Sequence, residues 1–171
     1  MARLRESALA ARRSLTNEMR DYASSKICKR IANSHEFISC KSIACYLPVN
    51  DEVDPIIIIE RAWRAKKRVF APVFDMRDNM IFRHLAPDTK LERNFFGIWE
   101  PVSEPFVSPR TIDLVIAPVV AFDNRHYRIG MGGGYCDRCF SFLQHCRNWL
   151  HPKLIGVAFD CREVEKITPS P

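Results

Sequence analysis

Glycine is scarce in this chain, with six among 171 residues, and long apolar runs are missing altogether. No stretch reaches the roughly 18 unbroken apolar residues of a membrane-spanning helix, which excludes such a span. The N-terminus "MARLRESALAARRSL" carries charges where a signal peptide has its apolar centre, so secretion is not expected. Its arginines run on into a long amphipathic segment, which reads as structure rather than as a transit peptide. Seven cysteines, an odd number without a secretion signal, read as reduced thiols in a cytoplasmic protein. Repeats, linkers and low-complexity tracts are lacking too, so residues 1–171 are expected to form one domain, with a 47% hydrophobic fraction to supply its core.

What is abundant is positive charge. A formal charge of +6 and a pI near 9.1 point to a polyanionic partner: nucleic acid, an acidic surface or a multiply charged metabolite. No RNA-recognition aromatic signature or paired zinc-finger spacing is present, and Glu6, Glu18 and Asp21 interrupt the N-terminal basic residues. A nucleic-acid partner is therefore not expected.

Leu15, Met19, Tyr22, Ile27 and Ile31 recur at helical spacing after Thr16, a plausible N-cap, and a shorter basic helix precedes them. "SIACYL" has the length of a strand. Asp54 as N-cap and Pro55 as first helical residue then open a helix through "IIIIERAWRAKK", despite its β-branched run, and "RVFAPVF" returns as a strand. Strand, helix and strand in this order predict a parallel pair with a right-handed crossover. "NMIFRHL" reads as another strand, the proline-rich segment after it as loop, "DLVIAPVVAFD" as a buried strand, "GYCDRCFSFLQHCRNW" as a helix and "KLIGVAFD" as a last strand. The fold class is α/β, a mostly parallel sheet covered by helices on both faces.

Four of the six glycines, Gly130, Gly132, Gly133 and Gly134, stand within five positions, between a strand expected to end at Asp123 and a helix expected after Gly134. Ligands of open α/β sheets bind beyond the carboxyl ends of the strands, and a side-chain-free loop before a helix N-terminus is suited to a phosphate, with Arg125 and Arg128 adding charge. The spacing is neither that of a P-loop nor that of a dinucleotide fingerprint. Glycines serving only a tight turn and close helix packing remain the alternative. Asp137, in the first helical turn, reads equally as a partner of the helix dipole and as a Mg²⁺ ligand.

"RIGMGGGYCDR" resembles the R-x-G-x-G-x-G-Y-Y-D-R signature of 5-formyltetrahydrofolate cyclo-ligases. "YLPVNDEVD", "FGIWEP" and "IGVAFDCREVEKI" resemble further segments of that family, in the same order and over nearly the whole chain. The resemblance implies a sandwich of the sugar-phosphate isomerase and CoA-transferase type. It also implies ATP- and Mg²⁺-dependent cyclisation of 5-formyltetrahydrofolate to 5,10-methenyltetrahydrofolate, releasing ADP and phosphate, by a monomer.

Carried over by position, it implies ATP binding by Arg5, Arg128, Ile129, Gly130, Met131, Gly132, Gly133, Gly134, Tyr135 and Cys136. Leu47, Glu52, Met131, Gly132, Gly133, Gly134 and Tyr135 are implied on the folate side, with Arg128 and Glu52 catalytic and Asp137 on Mg²⁺. The positive charge would then serve ATP and a glutamylated folate tail.

The chain departs from the family's pattern in places. Met1 stands where the family has the lysine of its N-terminal K-x-x-x-R, leaving Arg3 as the substitute. Cys136 replaces the second signature tyrosine, and Gly133 stands where some members have lysine. The chain also ends at "EKITPSP", before a closing segment with a second Mg²⁺-binding aspartate and a final strand, so a sheet without that strand is expected. Two other classes fit the sequence less well. A zinc site would use the C-x-x-C of Cys136 and Cys139 with His145 and Cys146, but helical spacing puts the three cysteines on one core-facing stripe, and no second C-x-x-C exists. A sugar-phosphate isomerase would not combine this glycine loop with the Glu52 segment.

Overall fold

The computed structural model describes residues 2–49, 51–75, 79–102, 105–145 and 151–167. Two N-terminal helices, α1 (Ala2–Arg13) and α2 (Asn17–Ala32), lead through a short α3 (His35–Ser39) into β1 (Ser42–Cys45). Thr16 caps α2 as expected, its hydroxyl accepting from the Met19 amide at 3.2 Å. The buried stripe of α2 differs from the expected one: Cys28, Ile31 and Ala32 face inward, whereas Met19 and Tyr22 are exposed. Tyr22 lies under the Lys26 ammonium, 4.7 Å from its ring centroid, so a cation–π contact occupies a position that periodicity assigns to the core.

α4 (Ile56–Arg64) and β2 (Arg68–Phe74) complete the predicted unit, and β1 and β2 pair in parallel from Ser42↔Arg68 to Ala44↔Phe70. Ile58 and Ile59 of α4 are fully buried. Each such side chain stabilises the fold by about 1.5–3 kcal/mol, more than the few tenths that isoleucine loses in helix propensity, so burial decides the element. Pro55 sits at the cap rather than inside the helix, and the Asp54 carboxylate accepts from the Ile56 amide at 2.9 Å.

β3 (Met80–His84) runs antiparallel to β2. Next comes a hairpin, β4 (Leu91–Arg93) and β5 (Trp99–Pro101), that was expected to be loop. Its turn rests on Asn94, whose side-chain oxygen accepts from Phe96 and Ile98, and on Gly97 at φ 75°. β6 (Phe106–Val107) closes one edge of the sheet, β7 (Leu114–Pro118) pairs parallel with β1, and β10 (Lys153–Val157) pairs parallel with β7. The six-stranded order is β10-β7-β1-β2-β3-β6, mostly parallel as predicted.

Alternation along β1 and β7 splits the interior. Ile43, Cys45, Leu114 and Ile116 meet α2, α3 and α4 on one face, while Ala44 and Val115 join Phe70, Phe82 and Phe140 on the other. Both faces are covered. Among the described residues no helix is long and apolar enough to cross a membrane.

Two expected elements are divided. "DLVIAPVVAFD" is not one strand: the Val119 amide donates to the carbonyl of Val157, the last residue of β10, and the Val120 amide donates to the Ile129 carbonyl instead. The chain thereby leaves the sheet and forms a separate ribbon of β8 (Ala121–Phe122) and β9 (Arg128–Ile129). The helix expected after Gly134 is α5 (Tyr135–Cys139) followed by α6 (Phe142–His145), with residues 146–150 outside those described. Phe140 turns into the core at this break, against Phe82.

Candidate functional site

The ribbon that carries the glycine loop is held by one carboxylate. Asp123 is completely buried and accepts from the amides of Arg125, Tyr127 and Ile167 at 2.9 to 3.0 Å and from the Arg125 guanidinium at 2.7 Å. Burial alone would raise its pKa, but the Ile167 amide, the Arg125 side chain and the other two amides outweigh it and hold the acid at about 2. Arg125 is thus committed to Asp123 and the Ile167 carbonyl, not to the glycine loop as expected.

Because the folded pKa lies below the unfolded one, Asp123 stabilises the protein above 3.8, and this contribution is lost as pH falls from there through about 2. Asp123→Asn is expected to lower the urea midpoint at neutral pH, with the gap to the wild type narrowing over that acid range. Urea titrations at several pH values check this; a gap independent of pH would contradict it.

α1 packs Leu4, Ala8 and Leu9 on this ribbon, against Val120, Ala121 and Ile129. The packing brings Arg5 onto the loop, where its Nε donates to the Gly130 carbonyl at 2.9 Å. Gly132 has φ +104°, and a Cβ there would stand 3.2 Å from the Arg5 guanidinium carbon. A Cβ on Gly133 would meet the Tyr135 ring at 2.4 Å, and Gly134, left-handed at φ +66°, begins α5. Arg138 donates to the Gly133 carbonyl at 2.7 Å. The glycines therefore serve both a tight turn and a close approach of two guanidinium groups. α5 is a single short turn, so these cations, with exposed Arg128, carry more of the loop's positive potential than a helix dipole does.

The other residues named from sequence for the glycine-loop site divide among four surroundings. Ile129 is a buried anchor of the ribbon, whereas Arg3, Met131 and Asp137 are exposed. Tyr135 stands edge-on to Phe74, ring centroids 4.7 Å apart, which ties the loop to the carboxyl end of β2. Cys136 packs on the second core cluster with Cys139, and burial raises both thiol pKa values. Cys146 and the side chain of His145 lie outside the described residues, among which no group of three His, Cys, Asp or Glu is arranged to hold a metal ion.

Leu47 and Glu52 follow the carboxyl end of β1. Leu47 packs on the first core cluster. Glu52 accepts from the Val49 amide at 3.2 Å, and its other oxygen lies 3.9 Å from Arg12 Nη1. Burial raises the Glu52 pKa above its ordinary 4.5, against the amide and the positive charges of Arg12 and Arg162. Arg5 and Arg12 are seven residues apart on α1, hence on one face and about 10.5 Å apart along its axis. A single helix thus links the glycine loop to the Glu52 segment.

Sequence reasoning singled out neither Arg12 nor Arg138. Nor did it assign a role to Glu100, which accepts from the Phe74 amide at 3.0 Å and from Asn94 at 2.7 Å and so fastens the β4–β5 hairpin to the end of β2. The only signal for Arg12 was its seven-residue spacing from Arg5.

The geometry has close counterparts. An Escherichia coli 5-formyltetrahydrofolate cyclo-ligase is 35% identical over 162 residues, covering 91% of this chain and 86% of the relative. One from Haemophilus influenzae is 32% identical over 162 residues, covering 91% and 83%. An NMR structure of the Aquifex aeolicus 5,10-methenyltetrahydrofolate synthetase superposes with a TM-score of 0.84 at 28% identity, covering 99% of this chain and 83% of the other. The synthetase from Mycoplasma pneumoniae shares the fold, with a TM-score of 0.75 at 22% identity over 98% and 90% of the two chains. The model of the 5-formyltetrahydrofolate cyclo-ligase family matches residues 1–171, and the chain is an enzyme belonging to that family.

Proposed function

We propose that this enzyme converts 5-formyltetrahydrofolate to 5,10-methenyltetrahydrofolate with ATP, releasing ADP and phosphate. The observation that carries the reading is the placement of Arg5 on the glycine loop and Arg12 beside Glu52 by the same helix. A nucleotide site and a folate site built at these two places would lie within reach of each other.

In this reading the amides of Gly130 to Gly134 and the side chains of Arg5 and Arg128 hold the phosphates, with Ile129 and Cys136 shaping the loop from behind. The formyl oxygen attacks the γ-phosphorus and ADP leaves; N10 closes onto the activated carbon and gives its proton to water, and phosphate leaves as the carbon–oxygen bond breaks. Such a transfer depends on in-line positioning and on neutralising the oxygens of the moving group. Leu47 gives the pterin an apolar contact. Ionised Glu52 is an acceptor only and suits the N–H donors on the pterin edge. Met131, Gly132 to Gly134 and Tyr135 stand between the two substrates.

The residues also fit Mg²⁺. Asp137 presents an exposed carboxylate beside a loop that would hold phosphate oxygens, and Mg²⁺ favours one or two carboxylates together with phosphates. When bound, the ion would neutralise charge on the phosphate oxygens. Asp137→Asn is expected to raise the half-saturating Mg²⁺ concentration about tenfold, with thermal stability nearly unchanged. An unaltered rate at limiting Mg²⁺ would remove Asp137 from the metal site. The reading as a whole is tested by ADP release: it should require the folate and match methenyl product one to one, whereas ADP release indifferent to folate would contradict it.

A further inference from the structure

Two arginines lie in the interior behind Glu52. Arg12 is 3% exposed and Arg162 is 1% exposed, the first from α1 and the second from a 3₁₀ turn at Asp160–Arg162. With Glu52 they line a cavity of about 10 Å³, walled by Pro118, Val157 and Phe159 at the carboxyl ends of β7 and β10. Arg162 donates to the carbonyls of Val120 and Val119 at 2.5 and 3.4 Å. The Nε atoms of both arginines are buried without a hydrogen-bond partner.

Arg13 and Asp51 flank Arg12, and Asp51 is paired with Arg20 at 3.4 Å. Tyr46 faces the cluster from the end of β1, its hydroxyl given to the Val53 carbonyl, with Asp54 beyond it; Cys161 adjoins Arg162. Two buried cations therefore face one buried carboxylate. A pair serving stability alone has no need of the second cation, because desolvating each guanidinium costs several kcal/mol and apolar residues often pack such a place as well or better. The excess does have a use: it makes the ionised state of Glu52 the one that leaves least charge uncompensated.

We propose that Arg12 and Arg162 are positioning residues that act through Glu52, holding its carboxylate ionised and in one orientation before the substrate arrives. The proposal rests on the reading of Glu52 as the acceptor for the pterin. Arg12 would fix the carboxylate from the helix that also carries Arg5, so docking of α1 organises both halves of the site at once.

The test is a ¹³C-carboxyl NMR titration of Glu52 in the full chain, assigned with Glu52→Gln, for the wild type, Arg12→Met, Arg12→Lys and Arg162→Met. The pH profile of kcat/KM is measured on the same proteins. The Glu52 midpoint is expected to rise by about one pH unit or more in each methionine variant and to stay close to wild type in Arg12→Lys, with the acid limb of kcat/KM moving in step. A midpoint unmoved in both methionine variants would overturn the proposal. Arg162→Met keeps the test decisive if Arg12→Met does not fold. A midpoint that moves while the acid limb stays put would sink the reading of Glu52 as substrate acceptor and leave the electrostatic clamp standing.

Discussion

Gly132→Val is expected to lower ATP-dependent turnover by at least about 100-fold while shifting the melting temperature by only a few degrees. At φ +104° a β-branched residue is strained by about 1–3 kcal/mol. Its Cβ would press on the Arg5 guanidinium at 3.2 to 3.3 Å. Displacing Arg5 breaks its bond to the Gly130 carbonyl and removes a cation from the proposed phosphate site. A 100-fold loss corresponds to about 2.7 kcal/mol, within the range of one lost charge-assisted hydrogen bond to the phosphates. The strain falls on the folded state, and the exposed loop can relax it, so the melting temperature drops by only a few degrees. Gly130→Ala is the control for the fold, since a Cβ there meets nothing within 4 Å. Steady-state kinetics against ATP and a thermal melt decide the matter; Gly132→Val with wild-type KM and kcat would show that phosphates do not approach this turn.

Glu52→Gln is expected to reduce kcat/KM about 100-fold at neutral pH and to abolish the acid limb of the wild-type profile. The amide keeps the side chain's size but loses the negative charge set against Arg12 and Arg162. On the proposed reading of Glu52 as the pterin's acceptor, the ionised form is the active one. Burial raises its pKa above 4.5, so activity falls at a higher pH on acidification than an exposed glutamate would allow. The melting temperature of the variant should fall as well, because two buried guanidinium groups then share no anion. Rates are therefore compared well below the melting point of both proteins. A glutamine variant that retained full kcat/KM and an unchanged acid limb would place the titrating group elsewhere.

Much of the scaffold was legible in local pattern. The β1–α4–β2 unit, the Thr16 cap and the glycine loop each depend on neighbours a few residues away, and there periodicity and capping chemistry suffice. The failures have a common cause in contacts made across long separations. β8 and β9 are two residues each, too short for alternation to register, and the change of partner at Val119 and Val120 depends on where β9 lies. The long helix predicted after Gly134 breaks because Phe140 is drawn into the core beside Phe82.

The site was legible only in halves. The glycines and Glu52 stood out, but what joins them did not. Arginine is ordinarily an exposed residue, so nothing in the sequence marks Arg12 and Arg162 as interior until α1 is docked on the ribbon. Asp123 could not be told from an ordinary turn aspartate before its bond to Ile167, 44 positions away, was seen.

The most direct test of the central claim is absorbance in the methenyltetrahydrofolate band when the purified chain is mixed with 5-formyltetrahydrofolate, Mg²⁺ and ATP. A rise that depends on ATP and is nearly lost in Gly132→Val is expected. A flat trace in the presence of folded, ATP-binding protein would contradict it.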